Sequence, residues 1–426
     1  MSEAAARAEG RAYRLYVLAI LILVYTFNFL DRQIVAILAK PIKAEFHLSD
    51  GQFGLLSGLG FALVYSTLAV PIAWLADRWS RSWIISISLG LWSGFTALCG
   101  TAQGFWPLFA FRTGVGIGEA GGVAPSYSMI SDYFPPAERA RAIAAYSFAI
   151  PIGTALGVGV GGVIAANWGW RAAFLAVGLS GLLLAPLLKL TVRDPARGGA
   201  QAPGGGKASA GAPRLGRVLK TLLSKPSFWL LAFGAAAASV CGYGVAFWLP
   251  SFFQRSLGFS LVHSAWFFAG IFFIGGLAGI WAGGALADRF GGRSRAAYPT
   301  VPALAFLAAL PVFFLAVQSD NRALSFLLFL IPIGLNLAWL GPIVTAVHHL
   351  VPATMRSTAS ALFLLINNLL GIAGGLYYFG AVSDLLAPRF GEQSLRWAIY
   401  SGMGFYVLAA ALFLLAARRL AKDWVD

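Results

Sequence analysis

Long apolar runs broken by short polar turns set the rhythm of this chain. A bilayer core about 30 Å thick takes about 20 apolar residues of helix. Windows of that length pick out twelve predicted helices, at 15–39, 52–76, 82–103, 106–131, 140–166, 170–191, 227–254, 262–287, 296–317, 323–350, 357–387 and 395–417. Most are uncharged throughout. The runs do not alternate with period two, so they do not read as strands of a closed barrel, the other arrangement that satisfies its backbone in lipid. The pattern predicts an all-α membrane protein with twelve transmembrane helices.

A polar stretch, 192–226, separates the sixth span from the seventh. Its core, GGAQAPGGGKASAGAP, is rich in Gly, Ala and Pro and reads as a flexible linker. The two sides of it repeat. Leu75-Ala76-Asp77-Arg78 closes span two, and Leu286-Ala287-Asp288-Arg289 closes span eight, 211 residues on. Pro136 and Arg139 before span five have counterparts in Pro352 and Arg356 before span eleven. The predicted division is a tail at 1–14, a six-helix bundle at 15–191, a cytoplasmic linker at 192–226, a second six-helix bundle at 227–417 and a tail at 418–426. Two parallel six-helix halves resemble the architecture of the major facilitator transporters.

The basic residues orient this map. Of 31 Lys and Arg, 22 fall in one set of loops and tails and 7 in the other, with Arg32 and Arg112 inside spans. Basic loops stay in the cytoplasm, so both termini are expected there. The net charge of +15 is therefore a topology signal, and no soluble basic face is left to bind nucleic acid. The first fourteen residues lack the short apolar core and cleavage site of a signal peptide.

Composition narrows the class further. The chain has 426 residues, 59% hydrophobic and 11% charged, with a mean hydropathy of +0.76. An ordinary soluble domain is about a quarter charged, so a soluble globular protein is excluded. Two Cys, one in each half, exclude a disulfide framework or a multi-Cys metal site. No His-Glu-x-x-His or Gly-x-Ser-x-Gly occurs. No enzyme activity, catalytic residue or metal is expected.

Charges inside the apolar spans carry the candidate chemistry. Span one reads Phe27-Asn28-Phe29-Leu30-Asp31-Arg32, and span four carries Arg112 and Glu119. A charge at mid-bilayer costs about 2.5–3.5 kcal/mol on insertion scales, so four of them call for pairing or use. Arg112 and Glu119, seven apart, share a helix face about 10 Å apart along the axis. By helical rise, Asp31 lies about 24 Å from the inner end of its span and Arg112 about 10 Å from the outer end of its own. Those depths coincide, so Asp31 or Arg32 can face Arg112, with Glu119 nearer the middle. A carboxylate between low-dielectric walls and an arginine suits proton carriage. A static ion pair that fixes packing is the rival reading, but two acids and two bases exceed what one register lock needs.

Other features are less pointed. Gly114, Gly118 and Gly122, and likewise Gly153, Gly157 and Gly161, repeat at four, which reads as close helix packing. Asn28, Tyr65, Tyr243, Phe247, Trp248, Asn336, Trp339 and Asn367 are candidates for lining an amphipathic cavity.

The motifs resemble known proteins. Ala73-Trp-Leu-Ala-Asp77-Arg78-Trp-Ser-Arg81 and Gly284-Ala-Leu-Ala-Asp288-Arg289-Phe-Gly-Gly-Arg293 resemble the signature loop of the major facilitator superfamily. The resemblance implies a cytoplasmic gate at Asp77, Arg78, Arg81, Asp288, Arg289 and Arg293. In the first copy Ala73 and Ser80 stand where that loop has Gly. The superfamily's antiporter pattern in span five wants Gly-Pro-x-x-Gly-Gly, and Gly157-Val158 lacks the Pro. FNFLDRQI, SDGQFGLLSG, LADRWSRSW, RTGVGIGEAG, SDYFPPAERARA and NWGWRAAF resemble Spinster-like transporters of that superfamily across residues 25–175. That resemblance implies alternating access and proton-linked movement of amphipathic lipids, either lysosphingolipids or lysophospholipids. It places proton coupling on Asp31 and Glu119, and charge pairing or substrate binding on Arg32 and Arg112. Protons are the coupling ion and no cofactor is implied. A monomer in a bacterial inner membrane is expected. An organic anion/proton symporter and a pH-independent lipid facilitator are the alternatives.

Overall fold

The computed structural model describes residues 10–76, 78–195, 215–291, 294–337, 339–352 and 355–425. Its helices, in chain order, are α1 (Arg11–Ile37), α2 (Ala39–Phe46), α3 (Asp50–Ala76), α4 (Arg81–Cys99), α5 (Phe105–Glu119), α6 (Val123–Tyr133), α7 (Pro136–Ser147), α8 (Ala149–Thr191) and α9 (Leu215–Leu223). They continue as α10 (Pro226–Ser256), α11 (Leu261–Gly291), α12 (Ala297–Gln318), α13 (Arg322–Leu337), α14 (Leu340–His348) and α15 (Arg356–Asn368). A π-helical segment (Leu369–Gly374) leads into α16 (Gly375–Phe390), and α17 (Ser394–Gly402) and α18 (Gly404–Asp423) close the series. No strand occurs among the described residues.

Nine described stretches are long and apolar enough to cross a membrane. Two of these, Arg141–Thr191 with 51 residues and Thr358–Asp423 with 66, far exceed one bilayer at about 1.5 Å per residue. Each contains a reversal at a glycine with positive φ, Gly169 (86°) and Gly391 (54°), a conformation that costs glycine little. The first separates predicted spans five and six, the second spans eleven and twelve. One more crossing, α5 with α6, is broken at residues 120–122. The total is twelve.

The break after α5 has a local cause. Pro125 has no N–H to offer the carbonyl four residues back. Gly121 N and Gly122 N donate instead to Gly118 O (3.2 Å) and Glu119 O (3.1 Å). Glu119 thus ends one helix within a run the hydropathy pattern reads as continuous. Likewise α9 forms inside the stretch predicted as linker, burying Val218 and Leu222. The core of that linker, 196–214, lies outside the described residues.

Two compact units emerge. One contains α1, α3 from Leu63 onward, and α4 to α8; the other contains α2, α3 up to Ala62, and α9 to α18. In the first, the Gly153/Gly157/Gly161 stripe of α8 lies directly on α1. A Cβ there would come within 2.3 Å of Thr26 O, 2.6 Å of Leu30 O and 2.7 Å of Ile34 Cγ1. Backbone contact at that period fixes the rotation of α1 and so the direction of Asp31 and Arg32. Gly118 similarly brings α5 onto the backbone of Trp92 in α4.

In the second unit α10 is the central helix, with Phe228, Leu231, Trp248, Phe252 and Phe253 fully buried. Outward-facing positions are apolar instead: Leu183, Leu190 and Leu385 are each at least 75% exposed. A lipid-facing surface accepts such residues because lipid tails are as apolar as Leu.

Candidate functional site

Four charges meet inside the first unit. Asp31, Arg112 and Glu119 are buried, and Arg32 nearly so. Arg32 Nε donates to Glu119 Oε2 at 2.6 Å. Arg112 Nη1 reaches the Asp31 carbonyl oxygen at 3.4 Å. Of the two residues that depth allowed opposite Arg112, it is Asp31 that meets it, while Arg32 turns to Glu119.

The acids are only partly satisfied. Glu119 Oε1 and both Asp31 carboxylate oxygens are buried without a hydrogen bond among the described residues. Asp31 lies within the electrostatic reach of both Glu119 and Arg112, with the Thr96 hydroxyl adjoining it. Asn28, also buried, adjoins Glu119. A buried acceptor without a donor costs about 1–3 kcal/mol, more when charged. The site holds two acids and two bases, with fewer hydrogen bonds than its oxygens accept.

Aromatic rings complete the surroundings. The Arg32 guanidinium lies over Tyr65 (4.6 Å) and Phe29 (5.3 Å), a cation–π arrangement. On the same helix Tyr25 stacks on Tyr146 at 4.4 Å, and Tyr127 meets Tyr146 edge-on at 5.3 Å. Thr96, Tyr127 and Tyr146 escape reading from sequence. Their only signal is polarity inside apolar runs, which many packed hydroxyls share.

The second-unit cavity candidates divide. Phe247 and Trp248 are buried in packing against Phe53, and Trp248 Nε1 donates to Leu376 O at 2.9 Å. Asn336 accepts from Tyr406 Oη at 2.9 Å, and buried Asn367 from Ser239 Oγ at 2.8 Å. Trp339 is buried with its ring 6.4 Å from Phe363, while Tyr243 is half-buried. All six belong to the second unit.

Of the signature loops, the first is partly visible. Arg81 is buried and pairs through Nη1 with Asp132, with Ser128 Oγ at 2.9 Å; its Nη2 donates to Pro195 O at 2.9 Å. Asp194 accepts from Ser82 N at 2.9 Å. Arg81 therefore ties the start of α4 to the end of α6 and to the chain leaving α8. Arg78 is exposed, stacked on Trp74 at 3.8 Å. Asp77 and Arg293 lie outside the described residues, as do the side chains of Asp288 and Arg289.

Comparison with known proteins is consistent with this geometry. Residues 21–376 match the Major Facilitator Superfamily. The chain is 32% identical over 414 residues to an MFS-type efflux pump from Mycolicibacterium smegmatis, covering 96% of this chain and 93% of that protein. It is 31% identical over 445 residues to protein spinster homolog 1 of Xenopus tropicalis, covering 97% and 83%. The crystal structure of a bacterial homolog to the human lysosomal transporter Spinster, inward-facing and unoccupied, aligns with a TM-score of 0.87 at 32% identity, covering 98% and 99%. A D-xylose-proton symporter aligns with a TM-score of 0.66 at 18% identity, covering 97% and 98%, a likeness of fold alone. The chain belongs to the major facilitator superfamily and is a multi-pass membrane transporter of the Spinster type.

Proposed function

We propose that this transporter is proton-coupled, works by alternating access, and moves amphipathic lipids such as lysosphingolipids or lysophospholipids across a bacterial inner membrane as a monomer. The observation that carries the reading is the buried Arg32–Glu119 pair beside Asp31, whose carboxylate oxygens are buried without a hydrogen bond among the described residues. A proton taken up by Glu119, aided by Asp31, neutralises the partner of Arg32. The freed guanidinium then grips an anionic headgroup or turns to Asp31. Arg112 steadies the remaining negative charge. Tyr65 and Phe29 beside Arg32 offer apolar surface next to the charge, which suits a cargo with both characters. Arg81 on Asp132 serves the cytoplasmic gate, with Asp77, Arg78, Asp288, Arg289 and Arg293. The name of the mycobacterial relative favours export.

Proton and cargo act as switches only through different affinity for the two states. A change of partner at Arg32 supplies that difference. The test is thermal unfolding of the purified protein against a ligand panel, wild type beside Glu119→Gln, at acid and neutral pH. A ligand at a hundred times its Kd stabilises by about 2.7 kcal/mol. The expected result is stabilisation by lysolipids whose pH dependence disappears in the variant. Stabilisation by small carboxylates alone keeps the fold and overturns the lipid cargo in favour of anion symport. Transport by Glu119→Gln at the wild-type rate, with unchanged pH dependence, overturns the coupling.

A further inference from the structure

The charges of the second unit opposite the basic loops differ in what they leave free. Asp50 opens α3, and its carboxylate accepts from Lys43 Nζ, from both Nη atoms of Arg255 (2.5 and 2.6 Å) and from Ser383 Oγ (2.8 Å). Asp384 of α16 accepts from the backbone N–H of Asp50 (2.9 Å) and Gly51 (2.7 Å), a cap for the first turn of α3. A cluster so satisfied offers a ligand little. Arg389, five residues beyond Asp384, is exposed and meets only the ring of its neighbour Phe390, at 5.3 Å, among the described residues. Phe390 in turn packs on the half-exposed Trp397 at 4.9 Å. Tryptophan at a span end marks the interface between membrane and water, so Arg389 stands at the level of lipid headgroups.

An apolar groove runs inward from that level. Its volume is about 580 Å³, inside the range of about 300–1,000 Å³ usual for ligand pockets. Phe233 and Val240 of α10, Leu385 of α16, and Phe405 and Leu412 of α18 are among its walls. Leu370, Tyr377 and Leu408 line it and are half-exposed. Leu370 to Leu385 spans roughly 20 Å at about 1.5 Å per residue. That is room for an extended acyl chain, which fills one leaflet of a core about 30 Å thick. Arg389 follows Leu385 by four residues and so lies on the same face of α16.

One glycine shows that the groove is kept open. Gly371 and Gly375 answer to packing: a Cβ on them would stand 2.6 Å from Ser239 Cβ and 2.5 Å from Val240 O. Gly374, where the π-helical segment meets α16, does not. Its backbone is ordinary helix (φ −65°, ψ −44°), and a Cβ would meet only Val240 Cγ2, at 3.5 Å. Glycine weakens a helix interior, so its use where neither strain nor packing asks for it points to the space it leaves in the groove. Every lining residue belongs to the second unit. A cargo site must differ between transport states; a groove within one unit suits an occupant that stays.

We propose that this groove holds one acyl chain of a resident outer-leaflet phospholipid, with its anionic headgroup on Arg389. The proposal rests on the membrane topology and not on cargo or proton coupling. The test is native mass spectrometry of the delipidated protein, titrated with phosphatidylglycerol or with phosphatidylcholine. One phosphatidylglycerol is expected to bind about fivefold more tightly than phosphatidylcholine, the worth of one basic side chain at an anionic surface. Arg389→Gln is expected to erase that preference and keep one lipid bound. Gly374→Leu, which fills the groove, is expected to weaken both lipids at least about tenfold. Leu190→Phe, on the lipid-facing surface of the first unit, should change neither. Should Gly374→Leu fail to fold, Leu408→Trp fills the groove from α18 and carries the same test. Equal binding of the two lipids by the parent, or parental affinity in the filled variant, overturns the proposal and leaves an ordinary lipid annulus. Loss of self-association in the filled variant also overturns it, in favour of a seam between copies. So does a raised transport KM at unchanged kcat, which would make the groove a cargo site. Selective lipid binding together with pH-independent transport keeps the resident lipid and removes proton coupling.

Discussion

The cluster around Glu119 and the cluster around Asp50 use the same residue types to opposite ends. Asp50 has four donors on its two oxygens and sits at a helix start, beside a cavity. Asp31 has none among the described residues, and Glu119 has a donor on one oxygen only. Both clusters rest on glycine contacts, so neither differs in how firmly its backbone is placed. The difference lies in spare acceptor capacity. A saturated carboxylate resists a proton, because the proton must displace a donor. An unsaturated one in an apolar span has a reason to take a proton, a cation or a ligand donor. Buried ion pairs are poor indicators of stability by themselves; the count of unmet oxygens separates a holding site from a changing one.

Substitutions at the two sites are expected to diverge. The largest effect is expected from Arg32→Gln, which leaves Glu119 buried and unpaired: a loss of about 3–5 kcal/mol in thermal unfolding, largely recovered by adding Glu119→Gln. Failure of the second change to recover stability would mean Arg32 acts through its ring contacts instead. Next, Gly157→Leu forces a side chain into the Leu30 backbone and should cost about 1–3 kcal/mol or more. It should also disturb transport, because α1 carries the charges. Asp50→Asn should be more destabilising than Asp31→Asn, which is expected within about 1 kcal/mol of wild type because none of the hydrogen bonds among the described residues ends on its carboxylate. Equal losses at the two positions would erase the distinction drawn above. The smallest effect is expected at Arg78→Ala, about 0.5–1 kcal/mol for an exposed cation–π contact, read by the same melts.

How much of this was legible depends on the range of the interaction. The twelve crossings follow from hydropathy, a property of each segment alone. The reversals at Gly169 and Gly391 fall where the apolar windows end. Helix depth brings Asp31, Arg32, Arg112 and Glu119 near one another, because rise per residue is fixed. Their partners are not legible, since the rotation of α1 is set by a glycine stripe on α8 more than a hundred residues away. The break at 120–122 escapes a window average, which counts Gly and Pro as mildly apolar and ignores the missing N–H of Pro125. Asp50 and Arg255 escape for another reason. Each looks like an ordinary loop charge, and Arg255 is one of the few outer basic residues that the topology count treats as background. Their pairing across 205 residues becomes visible only once α10 and α3 are side by side.

The cap that Asp384 places on α3 also has a meaning in time. Its two acceptor oxygens lie 334 and 333 residues beyond the amides they satisfy. At about 5–20 residues per second of synthesis, the start of α3 waits roughly 17–67 s for its cap to be made. Arg255 is made earlier, 205 residues after Asp50. Through that interval the segment 39–62 waits for these partners, which the late helices of the chain supply.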